Sequence, residues 1–416
     1  MTDGPWGVIE GFYGPPWSWD ARLEVAAGCG ARGMADYVYA PKDDPKHRDA
    51  WRDPYDRAEL AGFERFAMAG SLGLGFALSP GLTMDYDDPD DRAHLAAKVD
   101  QVVAVGAGLV VLALDDIPFG GGPQGAAHAR VTTWLRHHLG DRARLALIPT
   151  EYVGTAASPY LEALAFGVPP DVPIGWTGAA VVNDTILASQ ARARADALGG
   201  RQPLLWDNYP VNDGIMADRL FLGPLRGRDP DLLEACSGYL ANPMVQPRAN
   251  QLPLASIAAF LRGEDPEQAW RRTATDLGWL AFAIACDTTE PHAVVEAAAA
   301  GDRRPARALF ADAAACAAPG LEDEAGPWVI QVQRDARLAL QALDVLDGDR
   351  SVETVLSMAA RWQASRRSSV TVFGPRCSIR PVLGQADDGR WQVEPPAVQH
   401  DANAIDDLVR LALGAL

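Results

Sequence analysis

Residues 108–118 have the sequence GLVVLALDDIP, in which six apolar residues from Leu109 to Leu114 precede two adjacent aspartates. An uninterrupted apolar run of this length between turn residues indicates a strand buried on both faces, which is typical of a parallel sheet covered by helices. Two carboxylates at the end of such a strand are costly unless they are paired, hydrogen-bonded or protonated. The segment therefore predicts a parallel α/β fold with a chemically active strand end.

Seven further runs of the same kind surround this segment, and a helix-like interval follows each of them. With 108–116 as the fourth, they are 7–14, 35–42, 75–81, 144–152, 172–178, 203–208 and 238–244. Their starts are separated by 28 to 40 residues, close to the roughly 30 residues of one strand and its crossover helix. Eight such units in about 250 residues predict a (β/α)8 TIM barrel. A doubly wound open sheet is the alternative, but the first turn, GFYGPPW, lacks the G-x-G-x-x-G order.

Helical periodicity separates the runs and then dominates the rest of the chain. Residues 56–72 and 90–105 carry apolar side chains at three- and four-residue spacings, with aspartates placed to cap the first turn. We predict three parts: a catalytic barrel over 1–250, a bundle-like and mostly α-helical domain over 251–369, and a mixed segment of unknown role over 370–416. In the last segment a strand is expected at 391–393, a turn at Pro395 and Pro396, and a helix at 403–416.

Composition and charge exclude several classes of function. The 37 Lys and Arg residues are outnumbered by 55 Asp and Glu residues, giving a formal charge of -18. Such a chain should repel nucleic acids and anionic membranes. No apolar run of about 18 residues and no signal-like start are present, so we expect a cytoplasmic protein without a membrane partner. The five cysteines and seven histidines show no metal-ligand spacing, so we expect no metal and no cofactor.

Polar and aromatic residues end seven of the eight runs. A barrel enzyme has its active site at the carboxyl ends of its strands, and aromatic rings together with carboxylates and amides are typical of sugar sites. Five of these rings are candidates for stacking on a sugar, although each alone is more often a packing residue: Tyr13, Tyr39, Tyr152, Trp176 and Trp206. The pattern favours a carbohydrate site at the barrel mouth.

The aspartate pair is the strongest candidate for catalysis. Two like charges this close should raise one pKa, which suits a general acid near neutral pH. The alternative is a solvated strand-end Asp115 followed by a helix-capping Asp116. Adjacent strand residues point to opposite faces, so a local bend is required if both are to face one ligand. For Lys42 the alternative to substrate binding is a structural role as an ion-pair partner of Asp43 or Asp44.

The motifs taken together resemble glycoside hydrolase family 84, the retaining β-N-acetylglucosaminidases that include protein O-GlcNAcases. The resemblance covers about residues 6–250 in order and rests on GVIEGFYGPPW, YAPKDDPKHR, WRDPY, ALSPG, LALDDIP, PTEY, WTG, LWDNYPVND and LANP. It implies a bacterial member of this hydrolase family whose helical region, to about residue 365, corresponds to the family's helical domain. The sequence departs from the pattern at Pro15, where the family usually has Arg. The family's additional N-terminal α/β domain and a carbohydrate-binding module are not evident.

The resemblance implies substrate-assisted catalysis, an exception to the usual two-carboxylate scheme of glycosidases. The substrate's 2-acetamido oxygen would attack C1 and form an oxazoline, which water then opens with overall retention. Asp115 would orient and polarise the acetamido group. Asp116 would protonate the leaving oxygen and then deprotonate the incoming water.

Eight further residues are implied to hold the sugar: Gly11, Tyr13, Lys42, Tyr152, Trp206, Asn208, Asp213 and Asn242. The Gly11 carbonyl and the Lys42 ammonium would contact hydroxyl groups, and Asp213 and Asn242 would bind the distal hydroxyls.

The resemblance also implies a role for each of the remaining four. Tyr152 would hydrogen-bond its oxygen, Trp206 would form a wall, Asn208 would contact the acetamido or leaving-group region, and Tyr13 would line the pocket.

Three functions stay open at this point. The leading one is an exo-acting β-N-acetylglucosaminidase of O-GlcNAcase type acting on glycoprotein. The second is a hydrolase of a small intracellular N-acetylglucosaminide, such as a cell-wall fragment or a biosynthetic intermediate. The third is a sugar-binding pseudoenzyme or scaffold, against which the intact Asp115–Asp116 pair argues. A homodimer through the helical domain is possible, and selectivity between GlcNAc and GalNAc is open.

Overall fold

The computed structural model of the protein describes residues 4–287, 289–374, 383–385, 391–393 and 403–416. Eight parallel strands form the predicted barrel. They are β1 Trp6–Glu10, β2 Asp36–Tyr39, β3 Gly73–Leu78, β4 Leu109–Ala113, β5 Arg144–Ile148, β6 Gly175–Trp176, β7 Leu204–Asp207 and β8 Gly238–Ala241. Their order is β5-β4-β3-β2-β1-β8-β7-β6, and a parallel bridge between Leu147 and Ile174 joins β5 to the β6 segment. The predicted (β/α)8 class is therefore confirmed.

Helices cover the outside of the barrel between successive strands. They are α1 Trp19–Gly30, α2 Arg57–Ala69, α3 Pro89–Ala104, α4 Gly121–Leu139, α5 Pro159–Gly167 and α6 Ala188–Ala197, with α7 Gln251–Leu261 after the last strand. Asp56 and Glu59 form a capping box at the start of α2, and Gly70, with φ 66°, ends that helix before the predicted limit. The β7–β8 connection differs from the expected alternation because its described residues contain only 3-10 turns, at Gly214–Met216 and Leu233–Ala235.

The second half of the chain is helical, as predicted. It contains α8 Pro266–Asp276, α9 Leu280–Cys286, α10 Thr289–Ala299, α11 Arg304–Ala314, α12 Glu322–Leu346, α13 Val352–Ser365 and α14 Ala404–Gly414. Gly278 adopts φ 71° and separates α8 from α9.

The carboxyl-terminal segment contributes one helix, α14, to the hydrophobic core of the helical region. Helix α14 packs against α12 and buries Ile405, Leu408 and Val409 there. A short antiparallel pair, β9 Leu383–Gln385 and β10 Trp391–Val393, contains the predicted strand. The turn expected at Pro395 and Pro396 lies outside the described residues, and the three domain limits stay predictions. In the described ranges, no helix is long and apolar enough to cross a membrane.

Side chains of the barrel strands alternate between two apolar layers. The interior holds residues such as Ile9, Val38, Ala77, Val111, Ala146, Leu204 and Leu240. Their neighbours point outward and pack against the helices, among them Val8, Tyr37, Phe76, Val110, Leu147, Leu205 and Tyr239. This alternation decides which residues beyond each strand end face the barrel axis.

Candidate active site

A cavity of about 320 Å³ opens at the carboxyl ends of the strands. All ten residues predicted for the site line it: Gly11, Tyr13, Lys42, Asp115, Asp116, Tyr152, Trp206, Asn208, Asp213 and Asn242. The sequence motifs did not indicate most of its apolar wall, which is formed by Ile148, Val181, Val182, Val211, Ile215 and Met216. These apolar residues lie mainly in loops, where no periodicity points to a ligand.

The strand alternation explains why these residues converge. Lys42 lies two residues after Ala40 and four after Val38, and both of those side chains are in the barrel interior. Asn242 follows the interior residue Leu240 by the same two-residue step. Continuing the inward side of a strand past its end therefore delivers a polar side chain to the cavity.

The two aspartates would point apart on a regular strand, and one residue prevents this. Asp115 lies two residues after Ala113 and four after Val111, whose side chains are in the barrel interior. The alternation therefore directs Asp115 inward as well. Asp116 has φ 54°, in the left-handed region, which Asp tolerates better than most side chains. The bend brings both carboxylates to the same cavity, as the sequence argument required.

Asp115 is held by a buried ion pair. Lys42 Nζ lies 2.5 Å from Asp115 Oδ2 and 3.9 Å from Asp116 Oδ2. Pairing of Lys42 with Asp43 or Asp44 is therefore wrong; Asp44 accepts hydrogen bonds from the hydroxyls of Tyr39 and Tyr55 instead. The other oxygen of Asp115, Oδ1, is buried and has no hydrogen-bond partner among the described residues. It is an acceptor available for a ligand N–H or O–H.

Asp116 is surrounded by donors. Tyr13 and Tyr152 donate their hydroxyls to Oδ2 and Oδ1, each at 2.8 Å. Arg48, which was not among the predicted site residues, donates to the backbone carbonyl of Asp116 at 3.1 Å and to the hydroxyl of Tyr13 at 2.9 Å. Arg48 lies at the end of the quoted YAPKDDPKHR motif, so its place in the sequence was the available clue.

These donors determine the pKa of Asp116. Burial by itself raises this pKa, but the Lys42 ammonium, the two tyrosine hydroxyls and Arg48 outweigh it and hold the pKa below its ordinary value. The expectation that the acid of the pair has a raised pKa is therefore wrong for Asp116 in the free protein. The physical reason is that the positive groups and the hydrogen-bond donors stabilise the charged form of Asp116 more than the neighbouring like charge destabilises it.

A row of hydrogen-bonded amides lines the remaining side of the cavity. The Gly11 N–H donates to Asn242 Oδ1 at 3.2 Å, and Asn242 Nδ2 donates to Asn208 Oδ1 at 2.9 Å. Trp206 Nε1 also donates to Asn208 Oδ1, at 2.9 Å. A Cβ at position 11 would lie 2.3 Å from the Trp206 ring, so only glycine allows this ring to pack here.

Asp213 closes the mouth of the cavity on the side of Tyr13. Its Oδ2 accepts the backbone N–H of Tyr13 at 2.7 Å. Burial raises the pKa of Asp213 from its ordinary value, against the lowering effect of this hydrogen bond. The hydrogen bond between Asp213 and Tyr13 connects the loop after β7 to the loop after β1.

Several strand-end residues face away from the cavity. Glu10 accepts both Arg22 Nε, at 2.7 Å, and Arg22 Nη2, at 2.9 Å. Tyr39 packs between Trp19 and Phe76 on the helix side. Trp176 is fully buried, and its Nε1 donates to the Gly154 carbonyl at 2.8 Å.

Two of the five aromatic candidates, Tyr39 and Trp176, are thus packing residues. In the part of the chain that the structure describes, no group of three or more His, Cys, Asp or Glu side chains could hold a metal ion.

A parallel barrel whose mouth combines two carboxylates, an ammonium group, amides and aromatic rings has the form of a carbohydrate-active barrel. The family model described as beta-N-acetylglucosaminidase matches residues 6–287. The chain belongs to this family, glycoside hydrolase family 84, and the family predicted from the motifs is confirmed.

Known proteins of this family resemble the chain in sequence and in fold. The protein O-GlcNAcases of Rattus norvegicus and Mus musculus are each 33% identical over 273 residues, which is 62% of this chain but 30% of the relatives. The matched region is thus under a third of their length. A mutant O-GlcNAc hydrolase of Thermobaculum terrenum superposes with a TM-score of 0.78 at 23% identity, covering 99% of this chain and 94% of that one. The structure of CpGH84B gives 0.79 at 22% identity, covering 88% and 74%.

Proposed function

We propose that the chain is a retaining exo-β-N-acetylglucosaminidase that removes terminal β-linked GlcNAc, as an O-GlcNAcase does, through substrate-assisted catalysis. The observation that carries the proposal is the convergence of Asp115 and Asp116 on one cavity, one paired with Lys42 and the other bonded to Tyr152. Family membership supports the chemistry. The two carboxylates have different partners, which suits two different roles.

Asp115 orients the nucleophile of the reaction. Its Oδ1, which lacks a described partner, accepts the N–H of the substrate's 2-acetamido group, while Lys42 fixes Oδ2. The acetamido oxygen attacks C1 as the bond from C1 to the leaving oxygen breaks, and an oxazolinium ring forms. The carboxylate stabilises the positive charge that develops on this ring.

Asp116 transfers the proton. It gives its proton to the leaving oxygen, and later takes one from the water that opens the oxazoline ring at C1. Because its pKa is lowered in the free protein, substrate binding must raise it. A sugar that takes over the hydroxyl of Tyr152 and excludes water removes a stabilising hydrogen bond from the carboxylate and strengthens the effect of burial.

The remaining predicted residues bind the sugar. Tyr152 turns its hydroxyl to the acetamido oxygen, and the ring of Trp206, which is 5% exposed, forms the wall of the acetamido pocket. Asn208 contacts the acetamido or leaving-group region. Asp213 binds distal hydroxyls.

On the opposite side, the carbonyl of Gly11 and the ammonium of Lys42 contact sugar hydroxyls. Asn242, whose amide already bridges Gly11 and Asn208, adds a contact to the distal hydroxyls. Tyr13, 44% exposed at the mouth, lines the pocket.

The finer identity of the substrate remains a proposal. Glycoprotein is the leading aglycone and a small N-acetylglucosaminide the alternative. The cytoplasmic location, the bacterial source and a homodimer through the helical domain stay predictions.

Hydrolysis of 4-nitrophenyl glycosides tests the proposed function. We expect turnover of the β-N-acetylglucosaminide and none of its α-anomer. Failure to hydrolyse any glycoside, with retained binding of GlcNAc, would favour the sugar-binding scaffold.

The Asp116→Asn variant tests the acid. It should lose much more activity on a β-N-acetylglucosaminide with an alkyl leaving group than on the 4-nitrophenyl glycoside, because a good leaving group needs little protonation. Asp323→Asn, a change at an exposed residue in the first turn of α12, is the matched control and should alter neither rate. Equal losses on both substrates would show that Asp116 is not the acid.

A further inference from the structure

Arg48 contacts the proposed acid, Asp116, from the loop after β2, and its side chain is 12% exposed. Its Nη2 donates to the backbone carbonyl of Asp116 at 3.1 Å, and its Nη1 donates to the hydroxyl of Tyr13 at 2.9 Å. Nη1 lies 4.0 Å from Asp116 Oδ2, so the guanidinium forms only a long ion pair with the carboxylate. The hydrogen bonds of Arg48 are therefore made to the backbone of the acid and to one of the donors of the acid.

The hydrogen bond to the Asp116 carbonyl lies where the backbone is strained. Asp116 has φ 54°, a left-handed conformation that costs free energy for an L-residue with a side chain and persists only where neighbouring groups hold it. Without this bend, strand alternation directs Asp116 away from Asp115 and out of the cavity. Because a charged donor makes a stronger hydrogen bond than a neutral one, Arg48 stabilises the conformation in which both carboxylates face the cavity.

The turn that carries Arg48 is anchored to the end of β3. His47, the preceding residue, is fully buried, and its Nδ1 lies 2.8 Å from the carbonyl oxygen of Ala77. Burial lowers the pKa of His47 to about 3, so the imidazole is neutral and donates from Nδ1, since a carbonyl only accepts. The His47 carbonyl accepts the N–H of Ser79 at 2.9 Å, and the Arg48 N–H donates to the Pro45 carbonyl at 3.2 Å. The guanidinium therefore extends from a well-fixed backbone.

Arg48 also determines the direction of the Tyr13 hydroxyl. A guanidinium donates hydrogen bonds and accepts none, so the Tyr13 oxygen accepts from Arg48, and its own hydrogen is directed at Asp116 Oδ2, 2.8 Å away. Oδ2 is thereby occupied as an acceptor. Oδ1 accepts the hydroxyl of Tyr152, which turns to the acetamido oxygen in the proposed mechanism. Oδ1 is then the oxygen that is free to carry the proton for the leaving group.

We propose that Arg48 is a positioning residue for the acid: it holds the backbone bend at Asp116 and, through Tyr13, leaves Oδ1 to deliver the proton. This inference rests on the proposed function, in which Asp116 protonates the leaving oxygen. Lysine in place of Arg48 keeps the positive charge. It does not reproduce the planar pair of N–H groups that reaches both acceptors, so the two residues are not interchangeable here.

The leaving-group dependence of Arg48→Lys tests this role. Each chain is measured at its own pH optimum, so that a changed pKa of the acid does not decide the result. We expect kcat/KM for methyl β-N-acetylglucosaminide to fall about tenfold or more, and kcat/KM for the 4-nitrophenyl glycoside to fall less than about threefold, because only the alkyl leaving group needs a well-placed acid. Arg52→Lys is the matched control in the same loop. Arg52 bonds Asp91 and Thr83 instead, so the ratio of the two rates should stay unchanged.

Two results would overturn the proposal: losses of equal size on both glycosides, or an undiminished rate on the methyl glycoside. Asp116→Asn, measured alongside, separates this inference from the proposed function. A leaving-group dependence in Asp116→Asn that is missing in Arg48→Lys refutes only the role of Arg48, whereas its absence from both variants refutes the acid and this inference together. If Arg48→Lys does not fold, Arg48→Gln, which also lacks the guanidinium, is measured with the same expectation.

Discussion

Lys42 and Asp115 form an ion pair with 2.5 Å between Nζ and Oδ2, and their side chains are only 3% and 8% exposed. The pair joins the end of β2 to the end of β4 across the catalytic cavity. Ion pairs in low-dielectric surroundings depend on both partners, because removal of one leaves a buried, uncompensated charge. The proposed role of Asp115 toward the acetamido group therefore depends on Lys42.

Lys42→Gln should damage both stability and catalysis. We expect the free energy of unfolding to fall by about 3 kcal/mol and kcat/KM on the 4-nitrophenyl β-N-acetylglucosaminide to fall about 100-fold. Urea denaturation and steady-state kinetics measure the two effects. The control is Lys46→Gln, because the Lys46–Glu59 pair is more exposed, at 25% and 38%, and should cost under about 1 kcal/mol. A kcat/KM within about threefold of the unaltered chain for Lys42→Gln would contradict the role of the pair.

Tyr13→Phe should move the pH profile. The variant removes a hydroxyl that donates to the charged form of Asp116, so the pKa of Asp116 rises from its lowered value. The acid then stays protonated to higher pH, and the alkaline limb of kcat/KM, which reports the free enzyme, shifts to higher pH. Tyr86→Phe is the control, since its hydroxyl has no hydrogen-bond partner in the described structure. A shift to lower pH, or none, would show that Tyr13 does not stabilise the charged carboxylate.

Gly11→Ala should displace the Trp206 ring. The added methyl group would lie 2.3 Å from that ring, so the wall of the proposed acetamido pocket has to move. We expect KM for the β-N-acetylglucosaminide to rise by about tenfold while the chain stays folded. Gly108→Ala, where the methyl group would meet no atom within 4 Å, should leave KM unchanged. An unaltered KM in Gly11→Ala would remove Trp206 from the sugar-binding wall.

Arg228→Met should strongly destabilise the barrel. Arg228 and Asp207 are 4% and 1% exposed and are joined at 2.6 Å, and the variant leaves the carboxylate buried without its cation. Thermal and urea unfolding should report a loss of about 3–5 kcal/mol, partly recovered in the double variant Asp207→Leu/Arg228→Met. Arg192→Met, in a pair whose side chains are 58% and 48% exposed, should cost under about 1 kcal/mol. A loss of that small size in Arg228→Met would contradict a structural role for the pair.

The family motifs in the sequence predicted the site residues whose convergence strand alternation explains. Lys42, Asp115 and Asn242 continue the inward side of their strands, and regular alternation is readable from apolar runs. By the same rule Glu10 and Tyr39 lie on the helix side, because each is one residue out of step with the interior. Motifs predicted these parts of the site, and strand periodicity explains their positions.

The parts that escaped prediction depend on backbone torsions and on distant partners. Strand alternation required a bend at the aspartate pair, but the left-handed backbone of Asp116 that makes this bend has no composition signature, because Asp adopts both ordinary and left-handed conformations. Arg48 reaches Tyr13 and Asp116 from another loop, and only the three-dimensional arrangement reveals that contact. The lowered pKa of Asp116 follows from these same donors.

The 2-acetamido group of the substrate provides the most direct test of substrate-assisted catalysis. The measurement compares kcat/KM for 4-nitrophenyl β-N-acetylglucosaminide and 4-nitrophenyl β-glucoside, which share a leaving group and differ only in the proposed nucleophile. Because an oriented internal nucleophile provides a large rate advantage, we expect kcat/KM for the glucoside to be lower by about a thousandfold or more. Equal turnover of the two glycosides would contradict it.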